Sequence, residues 1–233
     1  MKPYYEHGGI QIFHGDCREV IPQLPGPVHA VLTDPPYNVG FKYASYVDSL
    51  PEDEYLLWLA EIWRDCEKAG ALDIMWFWQG IRVANGQARA ILPSGWRIHH
   101  LAAWFKKEFA GDMWKGGHPA FTWEPIVWAA SSDPRAAKFS GPRGGHEGRD
   151  GLVDISSRHD KDAKGHPCNK TFRVVKAVCG WLEASTVIDP FCGSGTTLSA
   201  AKKLGKSAIG IEIEEKYCEI AAKRLSQEVF NFG

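Results

Sequence analysis

The chain has 233 residues, 44% of them hydrophobic, and a formal net charge of −1. That length and apolar content can bury one large core, which excludes a disordered chain. No run of 18 apolar residues is present and the start, "MKPYYEHGGIQIF", lacks the basic-then-apolar order of an export signal, so a cytoplasmic protein is expected.

Short β-rich runs alternate with helical patterns, which predicts a single α/β domain built on a doubly wound, mostly parallel sheet. Strands are predicted at 9–15 (GIQIFHG) and 28–34 (VHAVLTD). The next stretch, "SLPEDEYLLWLAEIWRDCEKAG", offers Ser49 as N-cap, acids in the first turn, an apolar stripe of Tyr55, Leu59, Ile62 and Cys66, and Gly70 as a stop. It predicts a helix. Strands follow at 72–78, 96–106 and 122–130. From 131 to 167 the chain is rich in Gly, Ser, Asp, Arg and His with almost no apolar period, the character of a functional or mobile insertion. Beyond it, helices are predicted at 170–182, 196–205 and 215–230, with strands at 185–191 and 207–213, giving seven strands in all.

Charge is unevenly placed. Basic residues such as Arg135, Arg143, Arg149, Arg158 and Lys161 outnumber acids from 131 to 176, while the first 75 residues are mainly acidic. A local basic surface suits a polyanion touching one face, and equally a solvated loop. The six cysteines form no CxxC pair, so packing thiols are expected. His146, His159 and His166 lack partners at recognisable spacing, and no metal site is expected.

Two stretches carry chemistry. "VIDPFCGSGTT" is a strand, a glycine turn and a helix start, where backbone can approach a ligand closely. Gly193 and Gly195 are present, but Leu198 stands where a dinucleotide fingerprint needs its third glycine, so a pyrophosphate ligand loses ground. Asp189 would sit badly against a phosphate and can instead pair with an α-amino group. Glu212, at the end of the following strand, can accept hydrogen bonds from both ribose hydroxyls. S-adenosylmethionine is the common metabolite with a ribose, an amine and no phosphate. The second stretch, "VLTDPPYNVG", ends a strand on an acid and follows it with two prolines, each fixing φ near −65° and offering no N–H. It is either a strand-ending turn or a rigid pair of acceptors.

With "DPPY" at 34–37 and "DPFCGSGTT" at 189–197, the chain resembles the amino-group DNA methyltransferases, which modify exocyclic nitrogens of bases. The order of the two motifs is similar to that of the family's β group. The resemblance implies a circularly permuted, seven-stranded, Rossmann-like sheet and S-adenosylmethionine as cofactor. "HGDCREVIPQLP" resembles the segment that places an acid near the cofactor adenine, here Asp16 with Cys17 beside it. "GHPCNKTFRVVKAV" resembles the His-Pro-x-x-Lys segment and implies His166, Asn169 and Lys170 at the methionyl end, although Thr171 stands where the family often has proline. The glycine turn implies Asp189, Phe191, Cys192, Gly193, Ser194, Gly195 and Thr196, and "IGIEIEEKYCEIAAKRL" implies Glu212 and Ile213. "FTWEPIVWAA" is similar to a late strand carrying a Glu-Pro pair. Residues 131–164 stay unmatched and are set apart as an inserted target-recognition segment, with Trp114 and Lys115 on a second glycine-rich loop.

The resemblance gives the prolines a purpose. If the Asp34 carboxylate and the Pro35 carbonyl each accept one amino hydrogen, the nitrogen lone pair is localised and can point at a sulfonium methyl. Pro36 adds rigidity, and Tyr37 offers a flat face to a base flipped out of the duplex. Phe41, Tyr43 and Tyr46 either close over that base or pack in the core. Asp rather than Ser before Pro-Pro resembles the form more usual in the family's adenine-N6 branch, which implies N6 of adenine as the target, with N4 of cytosine as the alternative. A C5-cytosine enzyme would need a cysteine nucleophile near the base, and Cys192 sits in the cofactor turn instead. Double-stranded DNA, a homodimer and a bacterial or bacteriophage origin complete the expectation. A non-catalytic nucleic-acid-binding protein and a dinucleotide oxidoreductase are the readings from other classes.

Overall fold

The computed structural model of the protein describes residues 1–24, 26–41, 46, 48–105, 123–138, 152–153 and 171–227. Its strands are β1 (Tyr5–His7), β2 (Ile10–His14), β3 (Ala30–Thr33), β4 (Asp73–Phe77), β5 (Arg97–Phe105), β6 (Trp123–Ala130), β7 (Leu152–Val153), β8 (Thr186–Asp189) and β9 (Ser207–Glu212). Its helices are α1 (Cys17–Val20), α2 (Glu52–Lys68), α3 (Gly80–Ala84), α4 (Gln87–Ala90), α5 (Phe172–Trp181), α6 (Thr196–Lys203) and α7 (Glu215–Gln227). One sheet runs in the order β1-β2-β9-β8-β3-β4-β6-β5-β7. From β2 through β9, β8 and β3 to β4 the neighbours are parallel, while β6 runs antiparallel to both β4 and β5.

Side chains sort by the two-residue period of a strand. In β3, Ala30 and Leu32 join a cluster with Val174, Val178, Leu198 and Ala221 from α5, α6 and α7. Val31 faces the other way and joins Tyr55, Leu59, Ile62 and Cys66 of α2. β4 divides likewise, Met75 and Phe77 to the first cluster and Ile74 and Trp76 to the second. Both faces of the central strands are therefore covered by helices, which is why those strands read as unbroken apolar runs. The doubly wound α/β architecture is as expected.

The strand count differs from expectation. The seven predicted strands correspond to β2–β6, β8 and β9; the sheet adds β1 and β7, three and two residues long, at its two edges. Segments that short give no alternating pattern to read. β7 lies within 131–164, the stretch expected to be an insertion, and pairs with β5; 131–138 forms a turn closed by Arg135 on Asp133, and the rest of that stretch lies outside the described residues. α2 starts three residues after its expected cap. Pro51 takes the N-cap position and Glu52, Asp53 and Glu54 fill the first turn, where carboxylates oppose the positive end of the helix dipole.

The missing third glycine of the turn is made up from the opposite side. A Cβ on Gly210 of β9 would meet Leu198 Cδ1 at 2.7 Å and Cys192 Sγ at 2.8 Å, so the strand, not the helix, supplies the small residue at this contact. Cys17, Cys66, Cys179, Cys192 and Cys218 are buried free thiols; Cys168 lies outside the described residues. No helix among the described residues is long and apolar enough to cross a membrane.

Candidate active site

In an open α/β sheet, ligands collect outside the carboxyl ends of the strands where the strand order reverses. Here that point falls between β8 and β3, since the chain leads from β8 outward to β9 on one side and from β3 outward to β4 on the other. The glycine turn follows β8 and the Asp-Pro-Pro-Tyr loop follows β3, on parallel strands paired through Ala30 with Val187 and Val31 with Ile188. About 155 residues of sequence are spanned by one sheet pairing.

A buried hydrogen bond joins the two loops. Thr33, immediately before Asp34, donates its hydroxyl to Asp189 Oδ1 at 2.5 Å, with the two residues 1% and 3% exposed. The Phe191 N–H donates to the same oxygen at 3.1 Å. Burial pushes the Asp189 carboxyl up to about 6, against the pull of the Thr197 and Thr33 hydroxyls and the Phe191 N–H, and the Asp34 charge adds to the rise.

Along the turn, Gly193 and Gly195 take φ of 49° and 77°. A Cβ on Gly195 would come within 2.9 Å of Ala221 Cβ, so the turn lies against α7 as closely as a glycine permits. The Gly193 N–H donates to Glu212 Oε2 at 2.9 Å and the Glu214 N–H to Oε1 at 2.8 Å. Glu212 thus stitches turn to strand, and each oxygen keeps a second lone pair for a ligand hydroxyl. Burial raises its carboxyl, opposed by those two N–H groups. Ser194 and Thr196 are buried, and Arg224 donates to the Thr196 hydroxyl at 2.9 Å. Ile213 is 37% exposed beside Glu212.

Asp16 and Cys17 come to the same edge because the Gly15 N–H donates to the Glu212 carbonyl at 2.9 Å. Asp16 caps α1 and takes the Arg18 guanidinium at 2.5 Å, which holds its carboxyl below the usual range. Cys17 is buried and its thiol pushed up to about 12. Asp16, Cys17, Asp189, Phe191, Cys192, Gly193, Ser194, Gly195, Thr196, Glu212 and Ile213 therefore gather at the ends of three adjacent strands, β2, β9 and β8. His166, Asn169 and Lys170 lie outside the described residues, as do Trp114, Lys115, Tyr43, His146, His159 and the arginines at 143, 149 and 158.

On the β3 side Pro35 is buried while Asp34, Pro36 and Tyr37 are half-buried. Tyr37 is anchored at its hydroxyl, which donates to Glu124 Oε1 at 2.7 Å on β6. Burial, reinforced by the Asp34 and Glu124 charges, keeps this phenol well above its usual range and so protonated. The following loop is held by Asp48, whose carboxylate accepts the N–H groups of Asn38, Val39 and Phe41 at 2.8 to 3.0 Å. Tyr46 stacks on Trp58 at 5.4 Å, and Trp58 in turn lies 5.4 Å from the Phe191 ring.

Behind the loop, the Tyr55 hydroxyl donates to the Pro36 carbonyl at 2.8 Å and Arg82 to the Tyr37 carbonyl at 3.3 Å. Among the described residues, the β3 side presents acceptors and no cysteine thiol. The Cys192 thiol, buried beside Glu212 and Asp189, is held well above its ordinary value. Thr33, Asp48, Arg82 and the donor role of Tyr55 were not legible in the sequence. Glu124 had a signal, an acid inside an otherwise apolar strand and half of the Glu-Pro pair.

Comparison with known proteins bears on this arrangement. A family model described as DNA methylase, of the N6 and N4 kind, matches residues 28–223. The Type II methyltransferase M.ScaI of Streptomyces caespitosus is 26% identical over 269 residues, covering 97% of this chain and 84% of that protein. Among solved structures, an M1.HpyAVI complex with SAM superposes with a TM-score of 0.68 at 26% identity, covering 93% of this chain and 98% of the other. The cytosine-N4-specific PvuII DNA methyltransferase shares the fold at a TM-score of 0.72 and 18% identity, covering 96% and 88%.

Proposed function

Since the chain belongs to the N6/N4 DNA methylase family, we propose that it transfers a methyl group from S-adenosylmethionine to the exocyclic N6 of an adenine flipped from a specific duplex sequence. The observation that carries this reading is the Thr33–Asp189 hydrogen bond, which puts the amine-binding acid and the Asp34 acceptor at the meeting point of two paired strands. The residues fit the cofactor. Asp189 is an anion for an α-amino group, Glu212 has lone pairs for a ribose, and the glycine turn admits close backbone approach at Gly193 and Gly195.

When bound, the cofactor supplies an electrophilic methyl on a cationic sulfur. Everything else falls to this chain. Asp34, ionised, and the Pro35 carbonyl accept the two amino hydrogens and draw the nitrogen lone pair out of conjugation with the ring. The methylated nitrogen is cationic and acidic, so its proton leaves without a strong base, and the Asp34 charge stabilises the cation while it lasts. Tyr37, fixed by Glu124, offers its ring face to the base. Asp-Pro-Pro-Tyr, rather than a serine form, supports adenine. The N4-cytosine reading stays as the alternative because the fold is shared with a cytosine-N4 enzyme. The order of the two loops along the chain supports a place in the permuted β group, and the basic 131–164 segment is assigned to target recognition.

Incubating the protein with tritiated S-adenosylmethionine and unmethylated plasmid DNA, then separating the nucleosides, tests the reading. Label is expected in N6-methyldeoxyadenosine. Label in N4-methyldeoxycytidine would move the assignment to the alternative, and no label in DNA would overturn it.

A further inference from the structure

Resting on that reading, we infer that Tyr55 and Arg82 are positioning residues that decide which carbonyl of the Asp-Pro-Pro-Tyr loop faces the substrate amine. A loop with consecutive prolines cannot pin itself through N–H donation at those two residues. It must be held by its carbonyls, and the structure supplies one buried donor for each of the two that follow Pro35. Tyr55, fully buried on α2, gives its hydroxyl to the Pro36 carbonyl, while Trp78 Nε1 donates to the Tyr55 oxygen at 3.3 Å. Arg82 on α3, 7% exposed, gives one arm to the Tyr37 carbonyl. Its other nitrogens reach the Gln79 side-chain oxygen at 2.7 Å and the Glu52 carboxylate, and its guanidinium lies 4.7 Å over the Tyr55 ring. Among the described residues no hydrogen bond reaches the Pro35 carbonyl.

The consequence is an orientation. With the Pro36 and Tyr37 carbonyls turned inward onto their own donors, the Pro35 carbonyl is the one left to act with Asp34. Burial raises the Tyr55 phenol above its usual range, so it remains a donor throughout the working pH range. Arg82 reaches its three acceptors from three separate nitrogens of a planar fork, a spread that the single ammonium nitrogen of a lysine does not reproduce.

The test uses Tyr55→Phe, which removes one O–H and leaves the ring beneath Arg82, and Arg82→Lys beside it. Methyl transfer to unmethylated plasmid is measured with the full chain, together with S-adenosylmethionine affinity by calorimetry and the melting temperature. Tyr55→Phe is expected to lower kcat about 10- to 100-fold, as a displaced acceptor should, with KM for DNA and cofactor affinity within about two-fold of wild type. Arg82→Lys is expected to fall in the same direction. A Tyr55→Phe enzyme with wild-type kcat would overturn the inference. So would a loss of kcat shared equally by cofactor affinity and melting temperature, since that marks a packing role. Wild-type protein inactive on DNA would instead remove the proposed function itself.

Discussion

Asp34→Ala is expected to cut methyl transfer by about 10³-fold or more while S-adenosylmethionine affinity stays within about two-fold of wild type. An exocyclic amine is a poor nucleophile because its lone pair is shared with the ring, and on the proposed function Asp34 is the charged member of the acceptor pair that reverses this. On the proposed function its charge would also stabilise the cation formed at nitrogen. Cofactor binding is spared because the contacts of the glycine turn do not run through Asp34: Thr33 still donates to Asp189, and Gly193 still donates to Glu212. Asp34→Asn keeps an oxygen able to accept one amino hydrogen but loses the charge, so its rate should fall between the two. Initial rates on plasmid and calorimetry with the cofactor read both effects. Near-full turnover in the alanine variant would remove Asp34 from its role.

Asp189→Asn is expected to weaken S-adenosylmethionine binding by about 10²-fold or more, because an ammonium would lose its only proposed anion in a buried setting. The same change should leave the unliganded fold as stable or more stable at pH 8. Asparagine retains an oxygen for Thr33 and for the Phe191 N–H while removing a charge that burial disfavours. The sign follows from the raised carboxyl, about 6 when folded against 3.8 as a free group. Below the lower value both folded and unfolded chains hold the proton. Between the two values the unfolded chain sheds it first, so this group's contribution to stability falls as pH rises and levels off above about 6. The wild type therefore carries a cost of about 1 to 3 kcal/mol at pH 8 that the asparagine variant escapes. Melting curves at pH 4.5 and pH 8 should show the variant gaining on the wild type at the higher pH, and equal cofactor affinity would refute the assignment.

The cost has a functional reason. Among the described residues Asp189 takes hydrogen bonds from two hydroxyls and an N–H but pairs with no cation, and on the proposed function an ammonium ligand would complete it. Stability given up at a site and recovered on binding is a recurrent trade in enzymes. The Asp16 carboxylate behaves differently, since Arg18 already neutralises it within the protein.

Sequence legibility followed the physics of each element. The seven longer strands and the four longer helices announced themselves through period and through glycine stops, because burial on a defined face enforces those patterns. Asp34 and Asp189 stood out in the sequence because each ends an apolar run, and the structure sets both at the ends of the paired strands β3 and β8. β1 and β7 were hidden by shortness. Tyr55 was read correctly as part of the buried stripe of α2, but a stripe cannot tell that its hydroxyl reaches Pro36, a contact made across 19 residues of chain. Arg82 sits in a five-residue helix with no periodic pattern, and its partners come from α2, from its own N-terminus and from the loop after β3. Such convergence depends on tertiary placement, and local sequence carries no trace of it.

A crystal structure with S-adenosylhomocysteine bound would test the central claim most directly. The expected result places the ligand's amine on Asp189, its ribose on Glu212, and its sulfur facing the Asp34 carboxylate and the Pro35 carbonyl across a space that admits one amino group. A ligand lying at another edge of the sheet, or held in the turn with its sulfur directed away from Asp34, would contradict the account.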